Sequence, residues 1–110
     1  MKIYAFGKED APVILLLPGT CCHWKGNFLH VIPLLEADFR VLCVSYDGFD
    51  ETERTEFPTM IDETEKIENY IQKHCSGHIR AAYGCSLGGS FVGLLAARKR
   101  IRMDYGILGS

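Results

Sequence analysis

Residues 82–90 read Ala-Tyr-Gly-Cys-Ser-Leu-Gly-Gly-Ser, with Gly84, Ser86 and Gly88 at alternate positions and Gly89 directly behind. What lies on either side gives the stretch its meaning. His78–Gly84 reads as a strand, and Leu87–Arg100 reads as a helix that begins at once. A G-x-S-x-G spacing between a strand and a helix is the pattern of a sharp turn that lifts a serine above the end of a sheet. Side chains at 84 and 88 would collide with the neighbouring strand or the turning helix, so both positions call for glycine. The Leu87 N–H then sits at the start of the helix, facing any negative charge that develops beside Ser86, and the helix dipole adds to that field. Two other readings of the same residues stay open: a plain tight turn, and a phosphate cradle at a helix N-terminus. The G-x-G-x-x-G spacing of dinucleotide sites and a Walker lysine are both missing here.

Outward from the turn, the chain alternates. Val13–Leu17 is continuously apolar between Pro12 and Pro18-Gly19, as a strand buried on both faces reads. Arg40–Tyr46 reads as a second buried strand and Met103–Leu108 as a later strand; residues 2–6 could form a short edge strand. A short helix is expected over 31–37, with Pro33 in its first turn. A longer one should start near Thr59 or Met60, where Thr59 and Asp62 resemble a capping box, and stop at Gly77. Its apolar stripe runs Ile61, Thr64, Ile67 or Glu68, Ile71 and Cys75, leaving Glu63, Glu65, Lys66, Asn69 and Lys73 to solvent. Residues 91–97 are apolar all round and should be largely buried. This order predicts an α/β fold: a three-layer parallel sheet with helices on both faces and right-handed crossovers.

Composition bounds the function. A length of 110 residues allows one domain, 1–110, with a modest core. A net charge of −2, with no basic block longer than Arg98-Lys99-Arg100, argues against a nucleic-acid surface. No run approaches the roughly 18 uninterrupted apolar residues of a membrane span. The five cysteines (21, 22, 43, 75 and 85) are odd in number and fit no metal spacing. They read as free thiols in a reducing cytoplasm, and neither a metal nor a cofactor is expected.

Stabilising an oxyanion usually takes two N–H groups. In a parallel sheet the C-terminal strand ends gather on one side, where ligands bind. The loop after the first buried strand, P18-G19-T20-C21-C22-H23-W24, should share that side with Ser86. Thr20 is the first candidate for the second donor and Cys21 the next, with Trp24 packing beneath the loop. With LLLPGTCCHW, VSYDGFD and YGCSLGG in view, residues 12–110 resemble the N-terminal, nucleophile-bearing half of an α/β-hydrolase. The P-G-T loop resembles the family's His-Gly oxyanion loop, with Pro18 in the histidine's place. The resemblance implies a sheet order of 4-3-5-6 in the family's strand numbering. It also implies hydrolysis of a small ester, thioester or amide by acylation of Ser86.

A serine needs a base, and this chain carries no histidine after Ser86. His74 and His78 flank the start of the strand that ends at Ser86, so they belong to the opposite end of the sheet. His30 precedes a short helix. His23 alone lies in a loop on the correct side and is the candidate base within the chain, although that loop's first duty is to present an N–H. Asp47 and Asp50 suit turn and cap roles, and Asp104, the only later acid, falls inside a strand. The catalytic acid and histidine are therefore expected outside the 110 residues, and the isolated chain is expected to be inactive. A sheet that stops at this strand leaves an edge for a C-terminal portion or a homo-oligomer to cover. The competing reading is a non-catalytic module that binds a partner through that edge.

Overall fold

The computed structural model describes residues 1–19, 28, 30–46 and 59–109. Five strands form one sheet: β1 (Lys2–Phe6), β2 (Val13–Leu17), β3 (Arg40–Ser45), β4 (His78–Cys85) and β5 (Arg102–Gly109), in the order β1-β3-β2-β4-β5. Pairings β2–β3, β2–β4 and β4–β5 are parallel. β1 pairs antiparallel with β3, so the sheet is mixed where a wholly parallel one was expected. The chain from β1 to β2 is too short for a crossover helix, and a direct reversal suits antiparallel strands.

Three helices flank the sheet: α1 (Ile32–Leu35), α2 (Met60–His74) and α3 (Leu87–Arg98). Thr59 caps α2 by accepting the Asp62 N–H at 3.1 Å. α3 ends where Lys99 turns left-handed at φ 56°, two residues before the basic run is complete.

Period-two alternation sorts the strand side chains onto two faces. Leu15, Leu17, Leu42, Val44 and Ala82 pack with Ile67 and Ile71 of α2 and Phe91 and Leu95 of α3. Leu16, Val41 and Cys43 pack with Phe28 and Ile32 at α1. Each fully buried Leu, Ile or Phe contributes about 1.5–3 kcal/mol, so the face under α2 and α3 carries most of the core.

Two burial expectations are corrected. Glu63 is fully buried, with Thr64 and Glu68, while Ile61 is 43% exposed. α2 turns its 63-64-67-68-71 stripe inward, and the Arg98 Nε–H donates to both Glu68 oxygens, at 2.9 and 3.2 Å, which makes a buried carboxylate tolerable. In α3 only Phe91, Val92 and Leu95 of the apolar stretch are buried; Gly93, Ala96 and Ala97 are exposed. The helix lies on the sheet by one stripe, so its apolar back is left uncovered by the described residues.

Candidate functional site

Because β2, β4 and β5 run parallel, their C-terminal ends lie together. Leu17 pairs with Gly84, and Cys85 with Gly109. Pro18-Gly19, Ser86 and the end of β5 therefore meet at one edge of the sheet, joined by Tyr46, the residue after β3.

Ser86 sits at the apex between β4 and α3 with φ 54° and ψ −118°. That φ is in the left-handed half of the map while ψ lies far from the left-handed helical value, a combination L residues rarely adopt. Its carbonyl accepts the Gly89 N–H at 3.0 Å and the Ser90 N–H at 3.3 Å, so winding of α3 begins on the serine itself. Its side chain makes no capping bond and is exposed. The flanking glycines are fixed by close approach. A Cβ on Gly84 would strike the Gly88 carbonyl, and one on Gly88 would strike the Leu17 carbonyl and come within 3.0 Å of the Pro18 oxygen. As the first residue of α3, Leu87 has an N–H with no acceptor inside the helix.

The loop after β2 enters against this turn. A Cβ placed on Gly19 would lie 3.6 Å from Ser86 Cβ and 3.8 Å from Cys85 Sγ. Tyr46 is fully buried, its hydroxyl donates to the Pro18 carbonyl at 2.9 Å, and its ring stacks on Phe91 at 4.8 Å. Burial pushes the Tyr46 phenol well above its ordinary range, and the nearby Cys85 and Glu63 push it further. On the α1 face, a cleft of about 470 Å³ is lined by Leu16, Phe28, Val31, Leu35, Tyr83 and Cys85.

Thr20, Cys21, His23, Trp24, Asp47 and Asp50 lie outside the described residues. His30 is exposed and lines the apolar cleft, and the His74 ring packs tilted against Tyr70 with centroids 4.4 Å apart. His78 does have an acidic neighbour: its Nε2 lies 3.0 Å from Asp104 Oδ1, and the Arg80 Nε lies 3.3 Å from Asp104 Oδ2. The hydrogen bond from His78, then the charges of His78, Arg80 and Arg102, hold the Asp104 carboxyl below its ordinary range. Eight residues of strand separate His78 from Ser86, roughly 25 Å at about 3.3 Å per residue. This histidine–aspartate pair therefore cannot reach the serine. The β4–β5 register, which sets Ile79 beside Met103 and Ala81 beside Tyr105, places Arg80 level with Asp104.

Tyr46 is the residue that sequence reasoning missed. Its only signal was a tyrosine following Ser45 at the end of the apolar run 41–44. Burial pushes the Cys43 thiol up to about 12. Among the described residues, no group of three or more His, Cys, Asp or Glu side chains is arranged to hold a metal, and no helix is long and apolar enough to cross a membrane.

A mainly parallel sheet with a glycine-flanked serine between an interior strand and a helix packed on the sheet defines the α/β-hydrolase class of folds. The chain belongs to that family: the model of the alpha/beta hydrolase fold matches residues 12–108. Its structure superposes on an alpha/beta hydrolase family protein from Desulfitobacterium hafniense with a TM-score of 0.91 at 23% identity, covering 97% of this chain and 43% of that one. A carboxylesterase structure from the thaumarchaeon Nitrososphaera gargenis gives 0.77 at 18% identity, covering 97% and 40%. The 2-hydroxy-6-oxo-6-phenylhexa-2,4-dienoate hydrolase from a Rhodococcus species gives 0.75 at 22% identity, covering 96% and 40%. The chain thus spans less than half the length of the solved structures it matches. No curated protein sequence matches it.

Proposed function

We propose that Ser86 is the nucleophile of a serine hydrolase acting on a carboxylic ester or related acyl substrate. Ser86 Oγ attacks the substrate carbonyl while its proton passes to a histidine outside these 110 residues. The Leu87 N–H and an N–H from Thr20 or Cys21 receive the oxyanion. Collapse expels the leaving group, and water then releases the acid and restores the serine. The observation that carries this reading is the Ser86 backbone: a strained serine, exposed at a strand end and closed in by two glycines that admit no side chain. The apolar cleft walled by Cys85 suits the hydrocarbon part of a small acyl group. Hydrolases among the solved neighbours support the same chemistry, although fold alone selects none. With no histidine after Ser86, the isolated chain is expected to be inactive, and cysteines read as free thiols suit a cytoplasmic setting.

Incubation with a fluorophosphonate followed by intact-mass measurement tests both claims. Slow adduct formation that disappears in Ser86→Ala is expected. Rapid stoichiometric labelling would overturn the inactivity, and undiminished labelling of Ser86→Ala would overturn the nucleophile. The second reading, a module that binds a protein partner through the edge of β5, rests on Tyr105, Ile107 and Leu108, which are 62%, 48% and 68% exposed there.

A further inference from the structure

We infer that a cavity at the amino ends of β2 and β3, beside the last turn of α2, is a second binding site that takes a small zwitterion with an apolar body. It lies at the opposite end of the strands from Ser86, so the inference stands apart from the reading of Ser86 as a nucleophile. The cavity has a volume of about 330 Å³, within the range of small-molecule sites. Val13 of β2 and Leu42 of β3 give it an apolar lining. His74 and Cys75, the last residue and the C-cap of α2, line it from the helix side together with Tyr70. The Tyr70 and His74 rings are one helical turn apart with centroids at 4.4 Å, and so offer aromatic surface to an apolar body.

Two opposite charges, Glu9 and Arg40, line the same cavity. Arg40 is half-buried. Its Nη1–H donates to the Gly7 carbonyl at 3.1 Å, which leaves most of the guanidinium fork for another acceptor. Among the described residues, neither Glu9 nor Arg40 makes an ion pair. Opposite charges that share a cavity without pairing suit a ligand that carries both. A carboxylate on the ligand meets the Arg40 fork. An ammonium meets Glu9 and the carboxyl end of α2, where the helix dipole is negative. Burial raises the Cys75 thiol and the Arg40 charge opposes that shift, so the guanidinium charge is felt at the cavity wall.

The probe is L-phenylalanine, titrated into the chain and followed through its backbone amide resonances. Phenylacetate, which lacks the ammonium, and phenethylamine, which lacks the carboxylate, are the controls. Phenylalanine should give saturable shifts at Val13, Leu42, Tyr70 and Cys75 and leave Ser86 and Leu87 unmoved. Each control should bind about 10-fold more weakly, for the loss of one charge-assisted contact. Glu9→Gln should weaken phenylalanine about 10-fold and leave phenylacetate unchanged, whereas Arg40→Gln should weaken both. No saturable shift up to about 10 mM phenylalanine overturns the site. Phenylacetate or phenethylamine binding as tightly as phenylalanine overturns the zwitterion. Should Arg40→Gln fail to fold, Glu9→Gln decides, since its side chain is exposed: undiminished affinity for phenylalanine in that variant overturns the inference.

Discussion

The two ends of the β4 strand hold side chains of similar chemical promise in opposite surroundings. At the amino end, His78, Arg80 and Arg102 gather on Asp104, and their side chains are 46%, 50% and 80% exposed. At the carboxyl end, one serine stands on backbone so crowded that Gly84 and Gly88 admit no Cβ. The amino end has an acid and an imidazole and lacks a nucleophile, an oxyanion site and shelter from water. The carboxyl end has an exposed serine on closely packed backbone. A pair of catalytic residue types therefore signals little until the surroundings are known: exposed ion pairs are screened and contribute little, whereas buried, sterically defined backbone holds a reacting group in place.

Substitutions at each end test that contrast. The largest effect is expected at Phe91, which supports both Tyr46 and the first turns of α3. Phe91→Ala should lower stability by about 3–5 kcal/mol, read from the urea midpoint and slope. Gly88→Ala comes next, at about 1–3 kcal/mol, because the new Cβ must displace the Leu17 carbonyl. The same change should slow phosphonylation of Ser86. A Gly88→Ala protein with wild-type stability and labelling would show that the carboxyl end is not sterically defined.

At the amino end the effects should be small and dependent on pH. The Asp104 carboxyl is held below its ordinary value of 3.8, first by the His78 hydrogen bond. A depressed carboxylate stabilises the fold above its unfolded value and loses that contribution as the pH falls through the folded value. The gap between wild type and Asp104→Asn should therefore be present near neutrality, close progressively below about pH 4, and shrink in high salt. Thermal melts across pH and salt measure it. A gap at neutral pH as large as that for Gly88→Ala would erase the difference between the ends. The smallest change expected is a gain: a Cβ on Gly93 meets nothing within 4 Å, so Gly93→Ala should stabilise α3 by about 0.5–1 kcal/mol, visible as a higher melting temperature.

Much of the carboxyl end was legible in the sequence because its constraints are local. G-x-S-x-G, the apolar run before Pro18 and the Thr59–Asp62 cap each act over a few residues, and the chain states them directly. The amino end was not, since the Asp104 contacts depend on a register between strands 24 residues apart, His78 beside Arg102. Glu63 and Ile61 were misassigned for a related reason. Both sit in the first turns of α2, where the stripe is short enough to accept more than one rotation and packing decides. Tyr46 was hidden because a buried tyrosine just after a strand looks like core, and its hydrogen bond to the Pro18 carbonyl joins residues 28 apart in sequence. The second oxyanion donor, at Thr20 or Cys21, is a proposal drawn from the place of the loop after β2 at the C-terminal edge of the sheet.

The backbone of Ser86 also has a consequence in time. Dihedrals of this kind cost about 1–3 kcal/mol and persist only where the surroundings overrule them. Those surroundings are β4, the packed stripe of α3 and the sequence-distant β2, which must assemble first. The turn should therefore reach its native shape late, after the folding transition state. Strain absent from that transition state appears in the unfolding rate and leaves the folding rate alone. Read this way, the serine shortens the lifetime of the native state without slowing its formation.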